Sequence, residues 1–187
     1  MKKFTTDFLE KDADIVKELM EVLHIPKFNV LGWSDGGITA MILSGKYPDV
    51  VEKLLVFGSN AYIVADELKI YDGIRDISKW SSKMREPLEK LYGAERFKTM
   101  WENWVDTFGL IYKEKGGDLC KGFLKNIKAE TLILHGEKDP MLAKEHAPYL
   151  LENIHRSKLV SWPDGNHNIH LRYADEFNLK VAEFLMS

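Results

Sequence analysis

The 187-residue chain is 45% hydrophobic and 29% charged. That is the makeup of one ordinary globular domain with enough apolar side chains for a core, and it excludes a disordered or low-complexity polymer. Its 29 acidic and 26 basic residues leave a net charge of −3 with no long like-charged block, which argues against nucleic acid or a membrane surface as partner.

In chain order, Thr6 or Asp7 caps a predicted helix that runs to about Leu23, with Phe8, Ile15, Leu19 and Leu23 recurring on one face and Pro26 beyond its end. Phe28 to Leu31 is short and apolar and reads as a buried parallel strand. It leads into Gly32-Trp33-Ser34-Asp35-Gly36, after which Gly37 to Lys46 is helical and Tyr47-Pro48 closes the helix. A second strand, Lys53 to Phe57, ends at Gly58-Ser59-Asn60, so strand, helix and strand form a crossover unit. From about Ala61 to Gly122 the pattern turns helical, carrying Trp80, Tyr92, Trp101 and Trp104 with no convincing strand, and reads as an insertion. Strands resume at Thr131 to Leu134 and Lys158 to Ser161, with a helix near Ala143 to Glu152 between them and a last helix from about Ile169 to Met186. The alternation predicts a parallel α/β sheet, with residues 1–60 and 123–187 as its core and 61–122 as a helical lid.

The stretch from Gly32 to Gly36 is a G-x-S-x-G pattern between a strand and a helix, the setting of a nucleophile elbow. Its sharp turn exposes the serine hydroxyl, and small residues two before and two after it, here Gly32 and Gly36, avoid collision. Shifting the frame to make Asp35 the nucleophile would put Trp33 at a crowded position, which favours Ser34. Two later loops also follow apolar strands: His135-Gly136-Glu137-Lys138-Asp139-Pro140 and Pro163-Asp164-Gly165-Asn166-His167-Asn168. Ser34, Asp139 and His167 thus occur in the order expected of an α/β-hydrolase triad. A serine hydroxyl is a weak nucleophile until a base takes its proton, a task suited to an imidazole oriented by a carboxylate.

Competing readings accompany each position. His170, three residues on, is the alternative base, and Glu137 the alternative acid, since Asp139 before Pro140 also suits a simple turn. His135, ending a strand, reads as a hydrogen-bonded structural histidine. A zinc site from His167, His170 and Asp164 fits no common ligand spacing. Asp35 at a helix start is favoured by the macrodipole, yet a carboxylate beside the nucleophile also attracts a cationic group on a substrate.

The run Gly32 to Ala40, the segment Ile70-Tyr71-Asp72-Gly73-Ile74-Arg75-Asp76 with Ser78-Lys79-Trp80, the loop at His135 to Pro140 and the stretch His167 to Asn178 together resemble the valacyclovir hydrolase, or biphenyl hydrolase-like, family of serine α/β-hydrolases. The resemblance covers nearly the whole chain. It implies an α-amino-acid ester hydrolase with Ser34, Asp139 and His167 as triad, the backbone N–H of Asp35 in the oxyanion hole and the Asp35 carboxylate receiving the substrate ammonium. It further implies that Ile70, Gly73 and Ile74 of the lid line the acyl and leaving-group region, and that no metal or organic cofactor takes part. Members of the family also carry earlier strands and a loop with a second oxyanion donor, and this chain is expected to begin after them.

Three function classes therefore stand open: an amino-acid esterase, a truncated and catalytically weak or inactive relative, and a carbon-carbon bond hydrolase whose dianionic substrates sit badly beside Asp35. The implied partner of the first is a small-molecule ester, with self-association through an exposed edge strand as a second expectation. Cys120 is the sole cysteine, so no internal disulfide forms; this favours a reducing compartment, and the thiol reads as an inert, partly buried side chain. No apolar run approaches the roughly 20 residues of a membrane span. Met1 to Asp7 lacks the features of a targeting segment, so the chain reads as cytoplasmic as written, or mitochondrial if an upstream segment precedes it.

Overall fold

In the computed structural model, which describes residues 4–187, four parallel strands form one sheet in the order β1 (Phe28–Trp33), β2 (Val51–Phe57), β3 (Glu130–Gly136) and β4 (Ser157–Trp162). The apolar runs of β2 and β3 are buried on both faces, as parallel strands covered by helices are. Register alternates their side chains. Leu55, Phe57, Leu132, Leu134 and Trp162 share one face and pack with Ile169 and Phe177.

The helices are α1 (Phe8–Val22), α2 (Asp35–Lys46), α3 (Ala65–Gly73), α4 (Ser82–Tyr92), α5 (Ala94–Lys115), α6 (Lys121–Leu124), α7 (His146–Asn153), α8 (Ile169–Arg172) and α9 (Ala174–Met186), with a 3-10 turn at Ile77–Lys79. α2 is the central one, buried from Gly37 through Gly45 apart from Thr39. Asp14 of α1 holds its end, accepting hydrogen bonds from the Lys46 ammonium (2.6 Å) and the Tyr47 hydroxyl (2.7 Å).

Three expectations change here. The strand at Phe28 to Leu31 is not buried but alternates half-buried and exposed side chains, because β1 lies at one end of the sheet among the described residues. The apolar stripe of the first helix is buried only at Phe8: Ile15, Leu19 and Leu23 are more than half exposed, and Leu9 and Ala13 are the other buried positions. The last predicted helix is broken at Tyr173, whose φ of −120° and ψ of 42° leave the helical region. The break re-aims the chain, so that Ile169 and Phe177 reach one apolar cluster with Tyr173 packed against it.

The chain divides into two compact units. One comprises residues 63–118 with the described residues up to Phe8, and the other 9–62 with 119–187. The first is helical and is built on aromatics. Trp101 stacks on Trp104 at 4.8 Å and meets Trp80 edge-on at 4.8 Å, and the indole N–H groups of Trp80 and Trp101 both donate to the Ile74 carbonyl at 2.9 Å. Glu67, buried, accepts from the Val64 N–H at 2.9 Å and closes the start of α3. Arg75 clamps Asp106 with two hydrogen bonds, at 2.6 and 3.0 Å.

Candidate active site

Ser34 sits between β1 and α2 with φ 55° and ψ −127°, one of two non-glycine residues with positive φ among those described. Backbone strain of this kind persists only where surrounding contacts hold it. Here its N–H donates to the Phe57 carbonyl at 3.0 Å, and its carbonyl accepts from the N–H groups of Gly37 (2.9 Å) and Ile38 (3.2 Å). The Ser59 hydroxyl also lies 2.8 Å from that carbonyl.

The elbow glycines are not those the pattern marks. A methyl group on Gly32 would lie 2.4 Å from the Gly36 carbonyl oxygen, so Gly32 is sterically required. Around Gly36 there is no atom within 4 Å of such a methyl, whereas at Gly37 it would stand 1.9 Å from the Ser59 hydroxyl oxygen. The crowded second glycine is thus Gly37. The hydroxyl that it faces lies in the Gly58-Ser59-Asn60 segment, which by sequence marks only the end of a strand.

From the sheet's carboxyl edge the other loops converge. His167 Nε2 is 3.2 Å from Ser34 Oγ, and its Nδ1 is 2.8 Å from Asp139 Oδ2. The Asp139 side chain is 1% exposed and that of His167 15%. The second oxygen of Asp139 accepts from the Met141 N–H at 2.8 Å, and the Lys138 N–H ties the same loop to the Gly165 carbonyl at 2.8 Å. Held by the Met141 N–H on a loop tied to Gly165, the carboxylate is positioned to fix the imidazole in turn. With the proton on Nδ1, the Nε2 lone pair faces the serine hydroxyl.

Trp33 is a further part of this arrangement, with no local sequence signal for it. Its indole N–H donates to the His167 carbonyl at 3.0 Å. Its ring packs against His167 at 5.3 Å and His170 at 5.1 Å. His170, the alternative base, sits among Trp33, Phe57 and Phe177. Burial pushes its imidazole below the ordinary histidine range, with His167 adding to the effect. Its Nδ1 is buried without a hydrogen-bond partner among the described residues, a poor position for proton transfer with Ser34.

Asp35 opens α2, half-buried beside Ser34. Glu137, the alternative acid, is exposed and Asp164 pairs with Lys138. Among the described residues no group of three or more His, Cys, Asp or Glu could hold a metal ion. No helix described is long and apolar enough to cross a membrane. Cys120 is buried. Ile70, Gly73 and Ile74 belong to the helical unit, at the end of α3. His135 departs from expectation: it lines a cavity and no described residue hydrogen-bonds to its ring.

No family model matches the chain. It is 45% identical over 184 residues to the serine hydrolase BPHL of Mus musculus and 44% identical to that of Homo sapiens, covering 98% of this chain and 63% of each relative. The chain thus spans just under two thirds of the length of these relatives. Among solved structures, MGS-M2, an α/β-hydrolase enzyme from a Medee basin deep-sea metagenome library, superposes with a TM-score of 0.72 at 23% identity, over 100% of this chain and 74% of that one. Likeness at that identity speaks for the fold. The chain thus has the α/β-hydrolase fold and is similar in sequence to the serine hydrolase BPHL over the part of that protein it spans.

Proposed function

We propose that the chain is a serine esterase acting on α-amino-acid esters. The observation that carries this reading is the continuous line from Ser34 Oγ through His167 to Asp139, at 3.2 and 2.8 Å, with the serine held in a strained turn. In the proposed reaction His167 Nε2 takes the Ser34 proton as Oγ attacks the ester carbonyl carbon, and Asp139 stabilises the imidazolium. The backbone N–H of Asp35 receives the developing oxyanion. Collapse breaks the bond to the alcohol, which leaves with the proton from His167, and water then releases the acid from the acyl-enzyme by the same proton path.

The substrate class rests on Asp35. A carboxylate next to the nucleophile favours an ammonium near the scissile carbonyl and disfavours anionic esters. Ile70, Gly73 and Ile74 are carried in the proposal as residues selecting the acyl side chain and leaving group.

A second reading, a relative that retains these side chains but turns over slowly, draws on the single oxyanion donor assigned here, because losing one such donor costs about 100-fold to 1,000-fold. One experiment addresses both. The esterase reading expects a fluorophosphonate probe to label Ser34 rapidly and His167→Ala to abolish labelling; labelling that ignores His167, or none, rejects it. With labelling in place, a valine ester and its des-amino analogue are compared on wild type and Asp35→Ala. Equal losses on both esters would remove Asp35 from amine recognition.

A further inference from the structure

The face of the sheet turned away from the Leu132, Leu134 and Trp162 cluster carries a second polar feature. In register, Ile133 lies opposite Leu159 and His135 opposite Ser161, so these four side chains share a face. Above them a cavity of about 420 Å³ opens, with His135, Ser161 and Leu159 on the sheet side and Ala147 and Pro148 of α7 across from them.

His135 is 8% exposed, and burial pushes its ring below the ordinary histidine range, outweighing the opposing pull of Asp139 and Glu137. A neutral imidazole carries one N–H donor and one acceptor, and buried polar groups in folded proteins are ordinarily hydrogen-bonded. The nitrogens of His135 are not sealed off: the ring opens onto the cavity, where a partner from outside the chain can reach it. The triad does not use it.

The charges around the cavity restrict what could occupy it. Lys138 is committed to Asp164. Lys144 is exposed and has no ion-pair partner among the described residues. Glu137 is the one carboxylate lining the cavity, and it would repel a second negative charge on an occupant. The remaining wall is apolar.

We propose that this cavity binds a small monocarboxylate with a branched aliphatic body. The carboxylate accepts from the His135 imidazole N–H and the Ser161 hydroxyl, and Lys144 supplies the countercharge. The body lies on Leu159, Ala147 and Pro148. The site is separate from Ser34 and does not depend on the esterase reading.

Sodium isovalerate is the probe, titrated into the full chain at about pH 7.5, where an ordinary histidine is neutral. The His135 ring proton and the Leu159 and Ala147 methyl groups are followed by NMR. Saturable shifts at all three are expected, with about tenfold weaker binding to Lys144→Glu, the scale of a lost charge-assisted contact. His135→Phe is expected to lose saturable binding, and neutral isovaleramide to bind about tenfold more weakly than the acid. Lys144 is exposed, so its variant reports on the site without a folding defect, and an unchanged Tm checks this. The proposal is overturned by shifts confined to the His167 ring, by no saturation up to tens of millimolar, by equal binding of the amide, or by unchanged affinity in Lys144→Glu.

Discussion

At Gly37 an added methyl would stand 1.9 Å from the Ser59 hydroxyl oxygen and 2.8 Å from its Cβ, with the Gly32 carbonyl 3.1 Å away. Ser59 cannot yield cheaply, because its hydroxyl bridges toward the carbonyls of Ser34 and Phe57. Gly37→Ala is therefore expected to destabilise the protein by about 1–3 kcal/mol, the usual cost of overpacking. Gly36→Ala meets open space inside a helix, where alanine is favoured over glycine by up to about 1 kcal/mol. Urea unfolding of the two variants side by side tests this; equal losses would contradict it. The same positions mark what a linear reading can reach. Ser34, Asp139 and His167 are each flagged by residue type, by a preceding strand and by their order. Which glycine is crowded depends on Ser59, 25 positions from Ser34. Trp33 reaches the base through a bond spanning 134 positions, and nothing local to either residue announces that pairing.

The broken C-terminal helix shows how element geometry conditions the base. A straight helix from Ile169 satisfies hydrophobic periodicity, but tertiary packing wins at Tyr173 because two short helices bring Ile169 and Phe177 to one cluster. His170 is carried into that packing, between Trp33 of β1, Phe57 of β2 and Phe177 of α9, with His167 as the titratable group facing it. Its imidazole is held below the ordinary range by burial, so the folded chain binds this proton less readily than the unfolded one. Stability then rises with pH across the window between the depressed value and about 6.5, the unfolded value. The contribution is complete above about 6.5 and is lost as pH falls through the window. Replacing the ring by a non-titrating one of similar size should reduce the acid sensitivity. Thermal unfolding of wild type and His170→Phe at pH values on either side of the window reads the difference; an identical drop in both would show that His170 is not its source.

Across the whole molecule, the order of strands places β1 at one end of the sheet among the described residues. Leu31 is 49% exposed and Trp33 40%. Near the start of the strand, Met20 and Ile25 from the end of α1 join Phe28 in lining an open cavity, and Val22 and Leu19 add further exposed apolar surface. An edge strand with free backbone groups and apolar side chains is a template for pairing with another strand, which proteins usually blunt with charge. Neither Leu31 nor Trp33 supplies charge. The chain is accordingly expected to self-associate through β1 in a concentration-dependent way, and Leu31→Lys to shift it toward monomer while leaving Tm within a degree or two, since an exposed substitution costs about 0.5 kcal/mol or less. Sedimentation velocity over a concentration series measures both chains. A wild type that stays monomeric throughout, or an assembly indifferent to lysine at position 31, would mean that this edge is closed by other means.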